Sequence, residues 1–303
     1  MGAALQRFFE RIQTSPAPEP GFIGEGHTAV EVLSPTGLKA SDPFVLLMDD
    51  RLEIASRRQI GGAHPHAGLE TVTFVLEGTL NDRDEGSLLA GDVLWMTAGR
   101  GIIHNEQVET EGRSRVLQLW VRLSKAERGA APRFEIIRKD DALVRREAGV
   151  TARLYSGSTG QLRSPTRNHV PVTLLDLEFE PASSFEQALP SPYNGFVYVL
   201  RGQVRAGDGV WLSQGQVGWL DRPDAHAESA LRLTSRGDGA RVVLYAGQPQ
   251  QEPLIHYGPF IADDEQVLAG MFRDFRAGRF TPMSSLRPGA QDVVRPDPAA
   301  AAQ

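Results

Sequence analysis

GGAHPHAGLETVTFVLEG, residues 61–78, is followed by a short polar turn and then by GDVLWMTAGRGIIHNEQ, residues 91–107. The two halves carry two His-x-(His/Glu) pairs, His64 with His66 and His104 with Glu106. A β-strand places residues i and i+2 on one face. Two such pairs on neighbouring strands could hold one metal ion. His64, His66, Gly68, Glu70, Val72, Phe74 and Leu76 share one parity, and from Val72 onward that parity is apolar. An unbroken strand would therefore point both histidines and Glu70 into a barrel, among hydrophobic residues where bare charges are costly. A bound metal accounts for their presence there.

Moving outward from this stretch, FVLEGTLNDRDEGSLLAGDVLW (74–95) matches YVLRGQVRAGDGVWLSQGQVGW (198–219) at a constant offset of 124 without a gap. Phe74 falls on Tyr198, Gly78 on Gly202, Val93 on Val217 and Trp95 on Trp219, so the chain contains a duplicated unit. Short β-rich runs such as TAVEVL and PFVLLM, separated by Gly, Pro and Asp, continue to about residue 247. With no long helical pattern between them, they predict an all-β antiparallel sandwich or barrel repeated twice. The junction is expected in the polar segment 124–141. This gives an N-terminal extension over 1–20, a metal-bearing barrel over 21–132, a second barrel over 133–282 and a disordered tail over 283–303.

The same offset carries His64, His66, His104 and Glu106 onto Ala188, Pro190, Glu228 and Ala230, so the second unit lacks the site. His226 could match His104 only with a gap. His27, His169 and His256 read as hydrogen-bonded core residues. Residues 3–12 space Leu5, Phe8, Phe9 and Ile12 as an amphipathic helix, ended by the Pro-rich run at 15–21. EQVLAGMFRDFRAGRF (265–280) places Val267, Met271, Phe272 and Phe275 on one helical face, expected to pack back on a barrel.

Composition limits the functional classes. The 303 residues exceed a usual single domain, and 41% hydrophobic with 23% charged content describes a globular chain. No apolar run approaches the roughly 20 residues that span a bilayer. The N-terminus lacks the uninterrupted apolar region of a secretory signal, which makes the cytoplasm the expected location. A formal charge of −6 argues against nucleic-acid binding. The absence of cysteine excludes disulfides and thiolate sites, and leaves His and carboxylates to hold a metal.

HPHAGLETVTFVLEG and GDVLWMTAGRGIIHNE resemble the pirin family, a branch of the cupin superfamily. The likeness extends through YSGSTG (155–160), SPTRNHVPVTLLDLEF (164–179), GFVYVLRGQV (195–204), YGPF (257–260) and FRDFRAGRF (272–280). It implies two tandem cupin (jelly-roll) β-barrels facing each other, a short C-terminal helix, and one divalent metal in the first barrel. The ligands implied are His64, His66, His104 and Glu106, with iron(II) preferred over nickel, copper, zinc or manganese. The broader cupin pattern instead draws its carboxylate from the first motif, where Glu70 stands. Ala67 and Leu69 replace a basic and an aromatic residue of the family, and the hairpin between the motifs is shorter.

The activity implied is quercetin 2,3-dioxygenase chemistry on a flavonol or related phenolic. Dioxygen would be the co-substrate, and Glu106 or Glu70 would take the hydroxyl proton. The alternative implied is a non-catalytic, iron-dependent redox sensor that binds protein partners, in keeping with the acidic balance. A monomer is expected in either case.

Overall fold

The computed structural model describes residues 4–82, 86–105, 108–223, 228–286 and 291–293. LETVTFVLE forms the strand Leu69–Glu77, and all but its last residue are buried on both faces. One face meets the interior of the first barrel. The other meets the second barrel, and this double burial explains why polar alternation is so weak in the run.

Among the described residues, two ten-stranded sheets make up most of the structure, beside one three-stranded and two two-stranded sheets. In the first, Leu69–Glu77 lies between Val93–Thr97 and Val108–Arg122; the latter pairs with Phe44–Ile60, which in turn pairs with His27–Leu33. In the second, Asn194–Ala206 lies between Gln216–Leu220 and Glu228–Gly247. The duplication holds to the register: Phe74 faces Val93 and Val72 faces Trp95, while Tyr198 faces Val217 and Phe196 faces Trp219.

The largest apolar cluster joins the barrels. Phe44, Phe74, Trp95 and Leu119 from the first meet Tyr155, Phe196, Trp219 and Tyr245 from the second. Edge-on ring contacts such as Phe44 to Phe196 at 5.2 Å tie the layer together. Each barrel has its own interior as well, around Ile54, Val75, Leu94 and Met96 in the first and Leu177, Val197, Leu231 and Leu244 in the second.

The N-terminal helix expected over residues 3–12 does not form. Leu5–Gln6 runs parallel to Ser229–Ala230, and Phe9–Thr14 pairs antiparallel with Gln216–Leu220. A lone ten-residue helix is marginal in water, whereas an open sheet edge offers a complete row of partners. The expected apolar stripe gains little burial: Leu5, Phe8 and Ile12 all remain exposed. Arg7 is buried instead, donating to the Tyr193 carbonyl at 3.0 Å and pairing with Asp221 at 3.3 Å. The segment before the first barrel is therefore hydrogen-bonded to the second.

Exchange also occurs later in the chain. Arg133–Ile137 pairs with Val93–Thr97 of the first sheet. After the second barrel, the helix Glu265–Arg276 is capped by Asp264, whose carboxylate accepts the Val267 N–H at 2.9 Å. Met271 is buried, and Phe272 packs on Phe260 at 4.8 Å, but Val267 stays exposed and outside the expected stripe. Thr281–Pro282 then runs parallel to Ile102–Ile103 of the first barrel. Within the tail expected to be disordered, Met283 is buried and Gln291–Val293 pairs with Phe134–Ile136; the final ten residues lie outside the described ones.

Candidate metal centre

Ala63–His66 and Ile102–Asn105 are antiparallel neighbours in a small three-stranded sheet, with Thr281–Pro282 on its far edge. The register sets His104 opposite His64 and Ile102 opposite His66, so the three imidazoles share a face. Their potential ligand nitrogens all lie within 4.8 Å of one another. Nε2 of His64 and Nε2 of His104 are 3.0 Å apart. Two nitrogens each bonded at roughly 2.1 Å to one ion and subtending a right angle are about 3.0 Å apart.

Burial and hydrogen bonding set the chemical state of the cluster. His64 Nδ1 contacts the Gly62 carbonyl at 3.2 Å, which favours a proton on Nδ1 and leaves the Nε2 lone pair for the centre. His66 is 2% exposed, and neither ring nitrogen has a hydrogen-bond partner. A buried polar group without a partner is costly, and a coordinated ion would satisfy it. Burial, reinforced by His104, pushes the His64 imidazole down to about 4 and holds His66 well below the ordinary range. Neutral imidazoles are the form that binds metals. The donor set therefore suits a borderline divalent cation.

The remaining carboxylates separate. Glu106 lies outside the described residues. Glu70 does not share the histidine face, and the parity expectation fails at one point. The strand breaks after His66, where Gly68 adopts φ +80° and lets Leu69–Glu77 enter a different sheet. A Cβ at Gly68 would lie 2.0 Å from the Ile261 carbonyl oxygen. Beyond the break, Thr73 faces the histidine cavity while Glu70, Val72 and Phe74 face the second barrel. Glu70 accepts from Thr97 Oγ1 at 2.8 Å and from the His169 backbone N–H at 3.3 Å, and burial raises its pKa.

The cavity wall is apolar and aromatic. Trp120 stands edge-on to His66 at 5.2 Å, and Phe22 stands edge-on to His64 at 6.0 Å with most of its surface exposed. Leu46, Met48 and Val116 continue the wall, and Gln118 supplies an amide whose oxygen accepts from Thr73 at 2.7 Å.

The sequence reading missed Asp50, which also lines this cavity. Its signal was a carboxylate between Met48 and Leu52 at alternating positions of an apolar run. His27 is buried and hydrogen-bonded as expected, and its Nε2 contacts Asp50 Oδ1 at 2.8 Å. His169 is only half-buried and pairs with Glu127 at 2.7 Å, and His256 is exposed, so neither is the core residue expected. In the second barrel Ala188 faces Ala230 and Pro190 faces Glu228 across the equivalent strands, so no imidazole stands at the positions that the offset gives to His64, His66 and His104. His226 lies outside the described residues.

Two facing β-barrels with an imidazole cluster in one of them define a bicupin with a candidate metal centre. Family models agree: one for pirin matches residues 27–121, and one for the pirin C-terminal cupin domain matches residues 174–281. The chain belongs to the pirin family. A pirin-like protein of Caulobacter vibrioides is 34% identical over 273 residues, covering 86% of this chain and 96% of its own. A crystal structure of quercetin 2,3-dioxygenase from Acinetobacter baumannii superposes with a TM-score of 0.79 at 25% identity, covering 91% of this chain and 98% of that one. A bacterial pirin from Escherichia coli in complex with nickel(II) shares the fold, with a TM-score of 0.59 at 21% identity over 79% of this chain and 99% of that one. Among the described residues, no helix is long and apolar enough to cross a membrane.

Proposed function

We propose that the chain is a metal-dependent oxygenase of the quercetin 2,3-dioxygenase type, acting on a flavonol or a related phenolic. Its ligands in this reading are His64, His66, His104 and Glu106, and its metal is iron(II). The observation that carries the reading is the buried His66 ring, partnerless at both nitrogens, converging with His64 and His104 on an apolar cavity. Glu106 enters by the family pattern alone. The A. baumannii neighbour's name supports the substrate class at 25% identity. When bound, the metal would supply Lewis acidity toward a hydroxyl oxygen and one-electron chemistry with dioxygen.

The protein's own part follows from the wall. The aromatic rings of Trp120 and Phe22 in the cavity wall suit a planar aromatic ligand. Gln118, its oxygen taken by Thr73, keeps its amide N–H groups for an oxygen of the ligand. Apolar Leu46, Met48 and Val116 exclude water from the reacting ring. No lysine or arginine lines the cavity among the described residues, which fits a neutral phenol better than an anionic acid.

Imidazole ligands also accept nickel, copper, zinc or manganese, so metal analysis of protein from its own host decides the native ion. The test of activity is incubation of iron-loaded protein with quercetin under oxygen, with metal content measured on the same sample. Disappearance of flavonol absorbance is the expected result. Fully loaded protein that leaves the flavonol untouched would overturn the reading.

A further inference from the structure

The first barrel encloses a carboxylate other than the two considered from sequence. Asp50 faces Val116 across the sheet, and Val116 faces Val75, so its side chain is on the interior side with Met48 and Leu52. Its neighbour Asp49 points the other way, to Tyr198 and Arg115 at the barrel interface. Asp50 lines the same cavity as His64 and His66, and its side chain is 15% exposed, enough to meet a ligand.

His27 fixes its state. The Ile23 N–H donates to His27 Nδ1 at 3.2 Å, so the neutral ring carries its proton on Nε2 and donates to Asp50 Oδ1 at 2.8 Å. Oδ1 is thereby occupied and Oδ2 is left for a ligand. Phe22 ties this dyad to the metal cluster: its ring stands edge-on to His27 at 5.8 Å and to His64 at 6.0 Å. Among the described residues lining the cavity, Asp50 is the one carboxylate. Glu70 is on the far side of the sheet.

We propose that Asp50 is the proton acceptor for the hydroxyl of a phenolic ligand bound in this cavity, with His27 as its positioning residue. The assignment rests on the phenolic reading above. In the step, the ligand O–H bond breaks, the proton passes to Asp50 Oδ2, and the electron pair stays on the ligand oxygen as phenolate. Nothing is oxidised or reduced. The His27 N–H keeps Oδ1 oriented before and after transfer, and the ring need not change charge.

The experiment is anaerobic titration of iron(II)-loaded protein with quercetin, read by the red shift that marks flavonolate, across a pH series. Metal content and melting temperature are measured on the same samples. Asp50→Asn preserves shape and still accepts the His27 hydrogen bond, so it separates proton transfer from folding. Wild-type protein should bind the flavonol as its anion near neutral pH. Asp50→Asn, with full metal, should bind it unionised and lose roughly 10²–10⁴-fold in turnover under oxygen.

His27→Gln should raise the pH at which bound flavonol ionises without removing the metal, a shift that a purely structural role would not produce. If fully loaded Asp50→Asn ionises the ligand as wild type does, Asp50 is not the acceptor, although the phenolic reading survives. A loaded wild type that binds no flavonol overturns the phenolic reading, and this assignment with it.

Discussion

The two barrels are copies at one hairpin and strangers at one pair of strands. Trp95 and Trp219 occupy the same register position, each buried in the layer between the barrels. Ala63–His66 and Ile102–Asn105 carry three imidazoles, whereas the second copy has Ala188, Pro190 and Glu228 at the corresponding positions. The fold therefore depends on the apolar layer both copies share, and the candidate chemistry sits on a small separate sheet that only one copy has equipped. A site mounted in this way can be deleted without unfolding the protein, while its structural counterpart cannot.

The largest expected effect tests that separation directly. His64→Ala or His104→Ala should take bound metal from about one ion per chain to nearly none, read by elemental analysis, and leave the circular dichroism spectrum unchanged. Unchanged metal content would refute the ligand assignment. Trp95→Ala and Trp219→Ala should instead cost about 3–5 kcal/mol each in denaturant unfolding, because each empties a large buried volume in the shared layer. Trp219→Ala should still bind metal while folded. A folded Trp219→Ala that had lost its metal would show that the second barrel shapes the site.

A third substitution probes the point where site and scaffold join. Gly68→Ala should destabilise by at least about 1–2 kcal/mol, from the left-handed backbone alone, before its clash with the Ile261 carbonyl is counted. It should also weaken metal binding, since the next strand toward the N-terminus bears His66. Gly62→Ala is the control: its Cβ meets nothing within 4 Å, and a change within about 0.5 kcal/mol is expected.

The same glycine explains what was legible in the sequence. The imidazole cluster could be read because i, i+2 spacing survives in any strand, and the two-barrel plan because the repeat runs without a gap. The face of Glu70 could not. Parity counts through Gly68 as if the strand were continuous, and one positive φ sends the residues beyond it to the opposite side. The N-terminal strands were hidden for a different reason: their partners are more than 200 residues away, and local spacing favoured a helix. Asp50 and His27 come together through cross-strand pairing that no single stretch encodes.

The smallest expected effect uses the misplaced carboxylate to sharpen the contrast between the two faces of the strand. Glu70 is fully enclosed between the barrels, and burial raises its pKa in the folded protein above its value in the unfolded chain. Glu135, on the adjoining strands and also raised by burial, adds a like charge nearby. Between the unfolded and folded values the native state holds the extra proton, so stability falls as pH rises through that window and levels off above it. Wild-type denaturation midpoints should therefore carry a component that declines as pH rises above the ordinary carboxylate range, set against the opposing rise from the buried His64 and His66 imidazoles. Glu70→Gln keeps an acceptor for Thr97 and cannot ionise, so its decline should be shallower while its metal content stays at the wild-type level. A Glu70→Gln variant that kept the full pH slope would remove Glu70 as its source. One that lost the metal would return this carboxylate to the side of the histidines.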